Sequence, residues 1–196
     1  PISLLSKEIQ LQVDNDASDM QLIDTVATGE MGALSQIFNL RTQQLLDTQD
    51  KIEKLAHFDM LTGLPNRRLL INRLEDKLEF AKRHKCFGAL LFIDLDNFKL
   101  INDSLGHDQG DELLMRVAER FQNCIRREDT VARLGGDEFV VLIVKNDGYA
   151  EQLSREAILI AQKLLQVMED PIKLKGRQHN VDISIGVTVF SHHNSS

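Results

Sequence analysis

"ARLGGDEFVVLI", residues Ala132 to Ile143, sets two glycines and two adjacent acids inside what otherwise reads as a pair of strands. Gly-Gly is a turn signal, Val140 to Val144 is an apolar, largely β-branched run, and Val131 to Leu134 supplies the preceding strand. The pattern predicts a hairpin with Asp137 and Glu138 at or just past its turn. Two acids fixed at a turn between apolar strands call for a chemical reason.

A second acidic stretch lies upstream. In "FIDLDNFKLIND", Phe92 to Asp103, an apolar strand runs into Asp94 and Asp96, with Lys99 close behind. In helix-covered sheets the strand ends are where ligands collect. Side chains alternate along a strand, so Asp94 and Asp96 share a face if the strand continues and part company if it turns. Together with Asp137 and Glu138, these carboxylates form a hard-oxygen set suited to Mg²⁺, and Lys99 adds a cation for phosphate. Surface turns also use Asp for backbone capping, so the Asp-x-Asp spacing alone does not decide between the two.

The third stretch, "NDSLGHDQGDELL", carries Asn102, His107, Gly110 and Asp111. Gly110-Asp111 fits the start of a helix, with the acid near the positive end of the macrodipole. Equally, an amide and a carboxylate facing a pocket can read the donor and acceptor edge of guanine. His107 has no acid or nucleophile fixed near it by spacing, which suits a structural residue.

Around these motifs the chain alternates helical and strand patterns. "RRLLINRLEDKLEFAKRH", "QGDELLMRVAERFQNCIRR" and "YAEQLSREAILIAQKLLQVMED" carry a helical period, whereas "CFGALLFIDLDNF" and "HNVDISIGVTVF" read as strands. Those strands are too apolar to face water on both sides, which predicts a sheet covered by helices. "HFDMLTGLPNRR" is a connector that ends the preceding helix at about Phe58.

The first fifty residues differ in character. Phe38, Leu45 and Ile52 recur every seven positions, with Leu34 and Leu55 in the complementary places, as in a coiled-coil seam. Arg41 and Thr48 interrupt that seam, so a dimer held partly by neighbouring domains is expected. The 196 residues are 42% hydrophobic and 27% charged, enough for one domain with a real core plus an appendage. A formal charge of −7 argues against a nucleic-acid partner, because such a face must displace counterions from phosphate. Cys86 and Cys124 lack metal-binding spacing and suit a reducing cytosol. No apolar run reaches the length of a membrane span, and no signal peptide is visible. The start at Pro1 and the stop soon after an apolar strand read as a segment of a longer protein.

Two resemblances sharpen this reading. "PISLLSKEI" and "GEMGALSQIFN" (Gly29 to Asn39) resemble a HAMP module, with Gly29 in place of the usual Asp. The ordered set "DMLTGLPNRR", "DLDNFKLINDSLGHDQGDELL", "RREDTVARLGGDEF" and "VDISIGVTVF" resembles the GGDEF family of diguanylate cyclases, over roughly Phe58 to Phe190. The resemblance implies an α/β (α+β) nucleotidyl-cyclase-like fold: a central, mostly antiparallel sheet covered by helices, with an amino-terminal helical HAMP or coiled-coil stalk. The implied division is a HAMP-like module over 1–47, a signalling helix or linker over 48–58, and a GGDEF domain over 59–196 that stops short of its usual end.

The resemblance further implies that two GTP are condensed into cyclic di-GMP across a homodimer. Asp94, Asp137 and the backbone carbonyl of Leu95 would hold Mg²⁺ or Mn²⁺. Gly135 and Gly136 would let the nucleotide approach, and Glu138 would lie near the ribose 3′-hydroxyl or a second metal. Lys99 and Phe98 would belong to the substrate site, with Asn102 and Asp111 reading guanine. In "RRED", Arg126 and Asp129 match the family's inhibitory product site, with five residues between Asp129 and Gly135. The family's following helix supplies a lysine and an arginine to the triphosphate; this sequence ends before it, so weak turnover by the chain alone is expected. The stretch "VMEDPIKLKGRQHNVDISIGVTVF" resembles GGDEF domains that precede an EAL phosphodiesterase domain, which keeps open a relay module that binds GTP or cyclic di-GMP without catalysis. The HAMP resemblance implies a cytoplasmic fragment of a parent anchored in the bacterial inner membrane.

Overall fold

The computed structural model of the chain describes residues 30–84, 87–145 and 150–191. It divides into two compact units, Pro1–Leu55 and Ala56–Ser196. Residues 1–29 of the expected HAMP-like module, like Cys86, lie outside the described residues.

In the first unit the described chain is part of one helix, α1 (Glu30–His57), which runs unbroken across the expected boundary between the HAMP-like module and the linker. Of its seam residues, Leu34, Leu45, Ile52 and Leu55 are each more than half exposed, as is the neighbouring Ile37, while Phe38 is half-buried. An apolar stripe at heptad spacing that the described residues leave uncovered is compatible with the expected coiled-coil seam.

In the second unit α1 stops where the connector was expected to stop it. Asn66 donates from its backbone N–H to His57 O (2.9 Å) and from its side chain to Ala56 O (3.0 Å), satisfying carbonyls that a helix end leaves open. The same residue caps α2 (Arg67–His84), its Oδ1 accepting from Leu69 N–H at 3.0 Å.

The remaining elements are β1 (Phe87–Leu95), α3 (Phe98–Leu105), α4 (His107–Cys124), β2 (Thr130–Gly135), β3 (Glu138–Lys145), α5 (Ala150–Glu169), β4 (Ile172–Leu174), β5 (Arg177–His179) and β6 (Ile183–Ser191). The main sheet has the order β2-β3-β1-β6, and every pairing in it is antiparallel. The expected helix-covered antiparallel sheet is therefore present. One face of β1 and β3 (Leu91, Ile93, Leu95, Phe139, Val141) packs with Leu113, Leu114, Val117 and Phe121 of α4 and with Leu153, Ala157 and Leu164 of α5. Phe121 meets Phe139 edge-on, ring centroids 5.5 Å apart. The other face receives Leu70 of α2 against Ala132, Val140 and Leu142. Helices on both faces explain why Phe139 to Ile143 is continuously buried and hence continuously apolar.

β4 and β5 were not anticipated. They form a separate hairpin turning at Lys175-Gly176, both with positive φ (47° and 79°), the conformation that a tight two-residue turn requires.

Candidate active site

The hairpin foreseen at Gly135-Gly136 closes with Gly135 paired to Glu138, leaving Gly136 and Asp137 as a two-residue loop. Gly135 and Gly136 have φ of 145° and 53°, and a Cβ on either would point into open space. Glycine is thus required here by backbone conformation, not by a crowded neighbour. The open space also leaves that face of the turn accessible.

Register brings the two acidic motifs together. Asp94 pairs across β1 and β3 with Glu138, one residue beyond the turn that holds Asp137. Burial, then the charges of Asp137, Asp96 and Glu138, push the Asp94 carboxyl above its ordinary value, and no basic group offsets them. The strand ends at Leu95, so Asp96 and Asp94 do part company. Asp96 donates its N–H to Asp182 O (3.0 Å) and accepts from the Ser184 hydroxyl (2.8 Å), while Asn97 turns the chain at φ 59°. Asp96 is spoken for by β6, and Asp94 is left facing the hairpin.

Among the described residues no three His, Cys, Asp or Glu side chains already form a metal cage. The donor set nevertheless fits a hard divalent cation: Asp94 and Asp137 are like-charged oxygen donors, the charge of Asp137 helps to raise the Asp94 carboxyl, and a cation between them would remove that cost. Leu95, the third expected ligand, offers only its carbonyl, since its side chain is 1% exposed in the core.

Lys99, Asn102 and Phe98 all lie on α3. Lys99 is exposed and, among the described residues, forms no ion pair, so its charge is available to an anion. Phe98 is buried in the main core. Asn102 lies against Gly110 of α4: a Cβ at position 110 would collide with Asn102 Oδ1 and press on Phe98. The glycine in "HDQGDELL" therefore makes room for Asn102 one residue before Asp111. Helix α4 begins at His107 with Asp108 in its first turn, so Asp111 stands in the second turn and is exposed. The helix-start reading of Gly110-Asp111 is corrected accordingly, and Asp111 is free of a capping duty.

A clamp behind the hairpin went unnoticed in the sequence. Arg133, one strand residue before the bulge preceding Gly135, donates from Nε and Nη2 to Gly136 O (3.0 and 2.8 Å) and from Nη1 to both oxygens of Asp59 (3.0 and 3.1 Å). Asp59 also accepts from the amide and hydroxyl of Thr62 (2.9 and 2.6 Å). Burial alone would raise the Asp59 carboxyl, but the Thr62 hydrogen bonds and Arg133 outweigh it and hold the group below its ordinary value. The catalytic-looking turn is thereby fastened to the connector that ends α1. A charged residue inside an otherwise apolar strand was the available signal.

Arg126 and Asp129 lie on the α4–β2 connector, apart from the acidic cluster, beside a cavity of about 440 Å³ that they line with Arg73, Gln122 and Thr130. Arg126 Nη1 stands 2.7 Å from Glu156 Oε1. Asp129 Oδ2 is buried without a hydrogen-bond partner among the described residues.

Residues 56–196 match the family model described as "Diguanylate cyclase, GGDEF domain". The chain is 42% identical over 137 residues to the bifunctional diguanylate cyclase/cyclic di-GMP phosphodiesterase MucR of Pseudomonas aeruginosa, covering 70% of this chain and 19% of that protein. It is 37% identical over 172 residues to the diguanylate cyclase TpbB of the same species, covering 84% of this chain and 38% of that one. A solved structure of TpbB comprising only the GGDEF domain superposes with a TM-score of 0.63 at 41% identity, covering 68% of this chain and 76% of that one. The chain thus spans from about a fifth to under two fifths of the length of these curated relatives.

Proposed function

Because the chain belongs to the GGDEF family of diguanylate cyclase domains, we propose that it condenses two GTP into cyclic di-GMP and two pyrophosphates. The observation that carries this reading is the pairing of Asp94 with the Gly135–Glu138 hairpin, a like-charged acid set with no basic partner. Asp94, Asp137 and the Leu95 carbonyl hold Mg²⁺ or Mn²⁺, which when bound neutralises triphosphate charge and steadies the leaving pyrophosphate. Lys99 takes the terminal phosphates, and Asn102 with Asp111 reads guanine. Phe98, from the core, shapes the floor beneath Asn102.

In each step the 3′-hydroxyl of one GTP forms a bond to the α-phosphorus of the other, the bond to the β-phosphate oxygen breaks, and Glu138 or solvent takes the hydroxyl proton. The attacking hydroxyl comes from a second domain, so one chain is half an enzyme. The exposed stripe of α1 supports a helical dimer that brings two half-sites face to face under control of an upstream HAMP-like module in a membrane-anchored parent. Leu45→Asp with Ile52→Asp should abolish concentration-dependent association, read by analytical ultracentrifugation.

A second reading, a relay module that binds cyclic di-GMP, is favoured by the separate cavity at Arg126 and Asp129 and by the bifunctional character of MucR. One titration decides between them: thermal stability against Mg²⁺-GTP and against cyclic di-GMP, with product scored in the same tubes. Mg²⁺-dependent stabilisation by GTP with product accumulating supports the cyclase. Stabilisation by cyclic di-GMP alone, without product, supports the relay.

A further inference from the structure

The cavity beside Thr130 holds three arginines in different electrostatic conditions. Arg126 is already compensated, its Nη1 2.7 Å from Glu156, whose side chain is only 15% exposed. Arg127 is exposed and solvated. Arg73, reaching over from α2, is half-buried, donates from Nη1 to the neutral Thr130 hydroxyl at 2.9 Å, and forms no ion pair among the described residues. A guanidinium partly withdrawn from water without a counter-charge is the group that gains most from an incoming anion.

We propose that Arg73 is the anion-binding residue of this cavity, taking a phosphate oxygen of cyclic di-GMP there; the assignment rests on the product-site reading of Arg126 and Asp129. One Nη is committed to Thr130, which fixes the plane of the fork and leaves further N–H donors for a phosphate. The other half of the ligand has its own complement. Asp129 Oδ2 is a buried acceptor with no donor among the described residues, and the ring N–H and amino group of guanine are donors. An uncompensated cation and an orphaned acceptor on the wall of one cavity match a guanosine phosphate better than either a bare anion or a neutral base. The volume, about 440 Å³, is in the range of small-molecule sites. Arg126, held by Glu156, then closes the wall and contributes less to affinity than its place in the motif suggests.

The test is calorimetric titration of the chain with cyclic di-GMP, using R73Q, R126A, D129A and T130V, each checked for an unchanged thermal midpoint. R73Q keeps a donor for Thr130 while removing the charge, and it should weaken binding about tenfold or more, the effect of losing a charge-assisted hydrogen bond. R126A should cost about threefold, and T130V, which removes the anchor but not the charge, should stay within the same margin. Unchanged binding by R73Q, with loss in R126A or D129A, overturns the Arg73 assignment and leaves the product site standing. Absence of binding by the unsubstituted chain, or binding indifferent to both R126A and D129A, overturns the product-site reading itself. If R73Q does not fold, R73K is compared with R73M, which share a long stem and differ in charge; equal affinities overturn the assignment.

Discussion

Asp59 and Asp94 both answer to the Gly135–Glu138 hairpin, and their carboxyls are displaced in opposite directions. Asp59 is reached through Arg133 and sits among donors: two from Thr62 and one guanidinium nitrogen, with the same guanidinium gripping Gly136 O. Asp94 faces the hairpin from β1 and sits among acids. The first is a satisfied group that positions the turn; the second is a group whose charge the chain leaves unanswered. Around one hairpin, the direction of displacement separates the acid that positions the turn from the acid proposed to receive a cation.

The sharpest way to break that distinction is Asp137→Ala. It should lower cyclic di-GMP formation on the order of 10³-fold, since on the proposed mechanism it removes a metal ligand at the reacting phosphate. The thermal midpoint without metal should move by less than about 2 °C, because an exposed turn loses no packing. Synthesis within tenfold of the unsubstituted domain would remove the hairpin acids from the chemistry.

Asp59→Ala should act the other way round. Arg133 and Thr62 lose their partner in a half-buried place, at a cost of about 2–3 kcal/mol, or roughly 5–10 °C in thermal midpoint. Arg133→Ala should cost a similar amount, and the double variant much less than the sum. Additive losses would show that the clamp is not one unit.

Titration sharpens the contrast further. Asp59 has its folded value below the ordinary 3.8, so it contributes stability that is present above 3.8 and lost as pH falls through the folded value. Asp94 has its folded value above 3.8, so its contribution shrinks as pH rises from 3.8 through the folded value. Stability against pH, followed by urea unfolding, should lose part of its acid-side slope in Asp59→Asn. The Asp94→Asn profile should differ from the unsubstituted one with the opposite sign.

The smallest effect is also the most telling. Without metal, Asp94→Asn should stabilise the domain slightly, by about 0.5 kcal/mol at most, because an exposed like-charge repulsion disappears. Added Mg²⁺ should then no longer shift the midpoint. A clear loss of stability in the metal-free variant would place Asp94 with Asp59 as a structural acid.

The sequence disclosed features whose signal is local. The helical period of "RRLLINRLEDKLEFAKRH" became α2 residue for residue, and Gly-Gly between apolar runs became the hairpin. It hid what depends on distant partners or marginal length. Asp59 and Arg133 are 74 positions apart, and no spacing rule joins them. β4 and β5 are three residues each, too short for alternation to register. Helix α4 begins at His107 because Gly106 at φ 91° can end α3 and start the next helix at once, a junction without a side-chain cap to announce it. At the site, the acids were legible by type, but which of Asp94 and Asp96 stays available was decided by Ser184 and Asp182 of a strand read separately.

The position of β1 between β3 and β6 also sets a clock. Its partners in β6 lie roughly ninety to a hundred positions downstream, so this pairing is among the slowest loops to close. On a ribosome adding about 5–20 residues per second, β1 and β3 can meet seconds before β6 has been made. During that interval the acids of β1 and the hairpin would already face one another on a half-built sheet, and Asp96 would still lack the strand that draws it away.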